Sequence, residues 1–115
     1  LNLNNVELLK IGRYFRLSKK ARLVVGRNEK ENARLVDLAK EDDYLFMPMD
    51  IAGPTALGRG LFSEELIKLS SKITGRYCDL NGKTDAKIIY KKGREEEKIM
   101  QISCIEENQL LMLRL

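Results

Sequence analysis

The sequence predicts an α+β fold: a mixed, mostly antiparallel sheet with two helices packed on it. Three observations carry that expectation. Two short runs of alternating polarity flank the polar turn Ser18-Lys19-Lys20, two apolar stripes at helical spacing follow the capping residues Asn28 and Ser63, and the last third of the chain returns to an alternating pattern. At 115 residues the chain is a single domain, 1–115, large enough to bury a core without metal or disulfide staples. Its 43% hydrophobic and 33% charged content fit a soluble globular protein. No apolar run approaches the ~20 residues that span a bilayer, so no membrane partner is expected. The chain opens on Leu1 without a charged n-region or an apolar h-region, and reads as a fragment of a longer, cytoplasmic protein.

Residues 1–7 are an approach segment, and Val6 to Leu9 are apolar. Arg13 to Leu17 and Ala21 to Val25 are two strands, bracketed by Gly12 and Gly26. In the second strand Leu23 and Val25 share one face while Arg22 and Val24 share the other, so Arg22 points to solvent beside Arg13 or Arg16 and the basic residues gather on one face. Asn28 suits an N-cap, Glu31 stands three positions on as in a capping box, and Leu35, Val36, Leu38 and Ala39 form an apolar stripe. That pattern predicts a helix over Glu29 to Leu38.

After the acidic punctuation of Glu41, Asp42 and Asp43, the run Tyr44 to Met49 is a strand that Pro48 turns out of the sheet. Asp50 to Gly60 reads as a Gly-rich loop able to approach a ligand closely, though it matches neither GxGxxG nor GxxxxGK[ST]. Ser63 caps a second helix with Glu64 and Glu65 in its first turn and Leu66, Ile67, Leu69 and Ile73 toward the core, ending near Gly75. Residues 83–115 form a C-terminal hairpin region, Ala86 to Tyr90 and Lys98 to Cys104 about the turn Lys92-Gly93-Arg94, while Leu110 to Leu115 is too short to classify.

Charge is where this chain departs from an ordinary small domain. Between Lys10 and Arg34 stand nine basic residues against Glu29 and Glu31, a net +7, whereas the whole chain carries +4. A basic excess confined to about a fifth of the chain is the footprint of a polyanion site, with a partnerless solvated face as the plain alternative. Arg16 and Arg27 can engage phosphate bidentately, and Lys19 and Lys20 at the hairpin tip act as mobile point charges. Of the aromatics among these cations, Phe15 suits the core, whereas Tyr14 suits either the core or a stack on an unpaired base. Asn28 and Asn32 serve as a cap and a loop brace even without a ligand.

Cys78 and Cys104 lie far apart, there is no histidine, and no zinc site can be built from this chain alone. Two reduced thiols are the expected state, with a disulfide as the alternative. Lack of histidine also removes the usual general base. No catalytic residue, metal or cofactor is therefore called for. Two other classes stay open: a metal-dependent nucleic-acid enzyme using Asp50 with Asp37, Asp42 and Asp43 and steadied by Arg59, and a protein-interaction module presenting Met47, Met49 and Leu57.

Tyr14-Phe15-Arg16, then Val25-Gly26-Arg27-Asn28 with Asn32 four residues on, then Asp50 followed by Gly53, Thr55 and Ala56, and a helix closing on Arg76-Tyr77-Cys78 together resemble the NFACT-R RNA-binding domain. More narrowly, the chain resembles the version found at the C-terminus of bacterial tRNA thiouridylase-like proteins, where it follows an ATP-pyrophosphatase domain. The likeness runs over roughly residues 8 to 90. Ribosome-associated members of the family carry His-Ala-Asp-x-x-Gly where this chain has Met47-Pro48-Met49-Asp50, so a role resting on that histidine does not carry over. The resemblance implies an RNA-binding accessory domain that delivers tRNA to a catalytic domain of the same polypeptide. Together with the charge pattern it marks Arg13, Tyr14, Arg16, Lys19, Lys20, Arg22, Arg27, Asn28, Asn32, Gly53, Thr55 and Arg59 as the RNA-binding set.

Overall fold

The computed structural model describes residues 10–103 and 107–114. The approach segment and Cys104 lie outside those residues. Chain order is β1 (Arg13–Ser18), β2 (Ala21–Val25), α1 (Glu29–Leu38), β3 (Tyr44–Pro48), β4 (Ala56–Gly60), α2 (Glu64–Arg76), β5 (Asp85–Lys92), β6 (Lys98–Ser103) and α3 (Glu107–Leu113). The strands form one sheet in the order β1-β2-β4-β3-β5-β6, and every neighbouring pair is antiparallel. The α+β class stands, the sheet is antiparallel rather than mixed, and a short third helix joins the expected two.

Both long helices begin where their caps dictate. Asn28 sits at φ −159°, in extended backbone, and its side chain accepts from Glu31 N at 2.9 Å; Ser63 does the same for Leu66 N at 3.2 Å. The helices lie on opposite faces of the sheet. Against α2 the core is built from Phe15, Leu23, Val25, Phe46, Ala56, Ile88 and Ile102 with Ile73 of the helix. Against α1 it is Val24, Leu45 and Leu57 with Leu35 of the helix, and Ile11, Tyr14, Leu38 and Met47 pack around them. Strand β2 is consequently buried on both sides, which is why Leu23, Val24 and Val25 run together as an apolar stretch.

Two expectations are corrected here. The segment read as a Gly-rich loop is a loop only as far as Thr55, after which β4 runs through the middle of the sheet. Gly58 is a packing residue: a Cβ there would stand 2.7 Å from Phe62 Cζ and 3.3 Å from Phe46 Cε1, so the rings need its absence. Leu57, offered as part of an exposed apolar surface, is fully buried beneath α1. The interaction-module reading loses that residue.

Candidate nucleic-acid interface

Strand β2 hands over to α1 at Gly26, where the chain is stitched to the segment before β4. Gly26 N donates to Thr55 O at 3.0 Å, and Thr55 N donates to Asn32 Oδ1 at 3.1 Å. A side chain on residue 26 would run into that same Asn32 Oδ1, so the Gly-Arg-Asn-x-x-x-Asn spacing is one mechanical unit: the glycine admits the amide and the amide holds the loop. On the far side, Asp79 N donates to Ala52 O at 2.8 Å and Gly53 sits against Cys78. Residues 52–55 thereby form a fixed wall between the start of α1 and the end of α2.

Between these elements opens a cleft of about 350 Å³ lined by Arg13, Gly26, Arg27, Asn28, Glu29, Asn32, Ala52, Gly53, Pro54 and Tyr77. Of the expected set, Arg13, Arg27, Asn28, Asn32 and Gly53 line it, and Thr55 lies behind them in the wall. Arg13 enters from β1, its Cζ 4.3 Å above the Tyr77 ring centroid, and Tyr77 in turn leans on buried Phe15 at 6.3 Å. Tyr77 closes the helix in the resembling motif but is not in the expected binding set; its partner Arg13 lies far from it in sequence, and local pattern cannot pair them.

Arg27 is oriented by Glu31. Its backbone N–H and Nε donate to Oε1 at 2.9 and 3.0 Å, and an NH2 proton reaches Oε2 at 2.8 Å. The carboxylate that a capping box would turn onto the cap's own N–H instead takes the N–H one residue earlier, together with the guanidinium. The side-chain hydrogen bond from Arg27 dominates, and with backbone N–H groups of Arg27 and Gly12 it holds the Glu31 carboxyl at about 2, against the ordinary 4.5, while the Arg27 guanidinium is raised. Arg27 remains half exposed, with two of its five side-chain N–H groups engaged by Glu31. It can meet an anion in a fixed direction, beside helix N–H groups whose dipole also favours negative charge.

The hairpin cations divide. By the pleat, Arg13 lies on the Phe15 side of the sheet, whereas Arg16 and Arg22 are register partners on the other side, and Arg22 in turn faces Arg59 of β4. The expected gathering on one face gives way to Arg13 on one side and an arginine row on the other. Arg16, Lys19 and Lys20 are exposed. Arg22 closes its own hairpin, donating to Ser18 O at 2.7 Å and Ala21 O at 3.2 Å. Tyr14 is half-buried against the Leu35 and Leu57 cluster, the core alternative of the two it had.

Arg59, expected at the binding edge, is gripped by Asp43: Nε to Oδ1 at 2.9 Å and NH2 to Oδ2 at 2.6 Å, with a further bond to Leu38 O at 3.3 Å. Asp43 also accepts from Lys40 N at 2.8 Å and is almost wholly buried. Its oxygens are thus occupied by protein donors. Asp37 lies on α1 and Asp50 in the loop after β3, and the described residues contain no group of three or more Asp, Glu or Cys able to hold a metal ion. The enzyme reading draws no support from this arrangement.

The family model of the NFACT protein RNA-binding domain matches residues 12–113. A search of curated proteins returns no match. Among solved structures, the C-terminal part of the fibronectin/fibrinogen-binding protein from Streptococcus suis is similar at a TM-score of 0.78 and 14% identity, over 91% of this chain and 49% of that one. The chain therefore spans about half the length of that structure, and the likeness establishes the fold. With the match running from the residue before β1 to the end of α3, and so across every wall of the cleft, the chain belongs to the NFACT RNA-binding domain family.

Proposed function

We propose that this domain binds tRNA, using the cleft at the β2–α1 corner together with the exposed cations of the β1–β2 hairpin, and presents it in the cytoplasm to a linked modification domain of the thiouridylase, ATP-pyrophosphatase type. The observation that carries RNA binding is the convergence of Arg13, Arg27, Asn28, Asn32 and Gly53 on one cleft in a member of an RNA-binding family. The narrower resemblance to thiouridylase-like C-termini supports the choice of tRNA and of the linked domain.

Binding through phosphates has a cheap signature, because each neutralised phosphate releases counterions and affinity falls steeply with salt. Labelled tRNA titrated into the domain should bind in roughly the micromolar range at low salt and weaken markedly at raised salt. Absence of binding at low salt, or binding indifferent to salt, would overturn the phosphate mechanism. The thiolation context is tested by the full reading frame: an upstream Ser-Gly-Gly-x-Asp-Ser-like pyrophosphate loop supports it, and a frame without such a loop removes it.

A further inference from the structure

We propose that the cleft receives a single unpaired nucleotide, with its base stacked on the Arg13 guanidinium. The inference rests on the RNA-binding reading and adds the kind of RNA this site selects.

Arg13 is held unlike an arginine that serves phosphate alone. Arg16, three residues on along the same strand, is exposed and points to the other face. Arg13 is half-buried and lies 4.3 Å over the Tyr77 ring, which in turn leans on Phe15 in the core. Arg13, Tyr77 and Phe15 thus form a chain of contacts, with the two rings tilted by 50°, that ties the guanidinium to the core. Its Cζ stands over the Tyr77 ring, and the residue also lines the cleft. A planar cation held over an aromatic ring at the side of a cleft can pair with a further flat, electron-rich group, and Arg planes are among the surfaces on which splayed-out RNA bases stack.

The dimensions agree with that occupant. A cleft of about 350 Å³ lies near the lower end of the range that holds one small ligand, and a base pair inside a helix has no free face to bring to it. The walls are stitched by the Gly26–Thr55, Thr55–Asn32 and Asp79–Ala52 bonds, so the cleft is formed before any ligand arrives. The oriented guanidinium of Arg27 lines the same cleft and is a donor for the nucleotide's phosphate.

The experiment compares a blunt RNA duplex with the same duplex carrying one bulged nucleotide, 2-aminopurine at the bulge. The wild-type domain should bind the bulged RNA about tenfold more tightly, the fold-change of a single base stack, and should change the 2-aminopurine fluorescence on binding. Arg13→Lys keeps the charge and removes the plane, so it should lose the preference for the bulge while still binding blunt duplex. Arg16→Ala should weaken both RNAs by the same factor and keep the preference. Equal binding of the two RNAs by the wild type, or a preference that survives Arg13→Lys, would overturn the proposal while leaving RNA binding intact. Failure to bind either RNA would remove both readings.

Discussion

Glu31 joins structure to function within a single side chain. It accepts from the Arg27 backbone and fixes the Arg27 guanidinium at the rim of the cleft, and the same contacts depress its own carboxyl to about 2. A carboxyl whose folded value lies below its ordinary 4.5 adds stability that is complete above that value and is lost as the pH falls through about 2. Urea unfolding between pH 5 and pH 2.5 should therefore show a smaller acid loss in Glu31→Gln than in the wild type; parallel losses would mean that the contact is already absent in solution. Asn32 separates its two duties under mutation. Asn32→Ala leaves the Thr55 N–H without its acceptor and should cost about 1–3 kcal/mol in urea unfolding. Asn32→Asp keeps an acceptor oxygen and should keep most of that stability, yet it places a negative charge in the cleft and should weaken RNA binding several-fold, as read by fluorescence anisotropy. At this scale the sequence was informative wherever the partner is close in the chain: Asn28 and Glu31 follow from helix-capping chemistry, and a bracing amide at Asn32 follows from the loop it must hold. Tyr77 was illegible as a site residue because its meaning comes from Arg13, which only the folded sheet brings to it.

Among the elements, α1 and the β1–β2 hairpin were readable because their signals are local: a capping box, a polar turn and alternation across a few residues. Strand β4 was not. Gly58 and Gly60 mimic a flexible loop, while the reason for Gly58, the rings of Phe46 and Phe62 lying over it, is tertiary. The same element gives Arg59 a structural role. In β4 it lies in register beside Arg22, but its side chain spans from the sheet to Asp43 at the end of the α1–β3 connection. That pair locks α1's exit onto the sheet, since Asp43 also takes Lys40 N and Arg59 takes Leu38 O. Asp43→Ala should cost about 2–3 kcal/mol, less than the ~3–5 kcal/mol of a fully buried pair because the Arg59 side chain keeps 20% exposure. Urea unfolding measures it, and RNA affinity should change little, since both residues lie outside the cleft. A change in affinity as large as that of a cleft variant would place Arg59 at the interface.

For the molecule as a whole, the fold class followed from element types, but the strand order did not, because β2 finds β4 across α1 and β3 finds β5 across α2. Nor could linear charge show that the +7 segment would wrap the sheet, with Arg13 on the side of α2, Arg27 at the start of α1 and the arginine row on the side of α1. The position of β4 between β2 and β3 has a kinetic side. Until β4 is seated, the N-terminal hairpin shares no ladder with the other strands, and the apolar faces of β2 and α1 stay wet. Docking β4 is therefore expected to fall within the folding barrier, with β6, an edge strand, closing afterwards. Stopped-flow refolding should show Leu57→Ala slowing folding, and Ile102→Val acting chiefly by hastening unfolding.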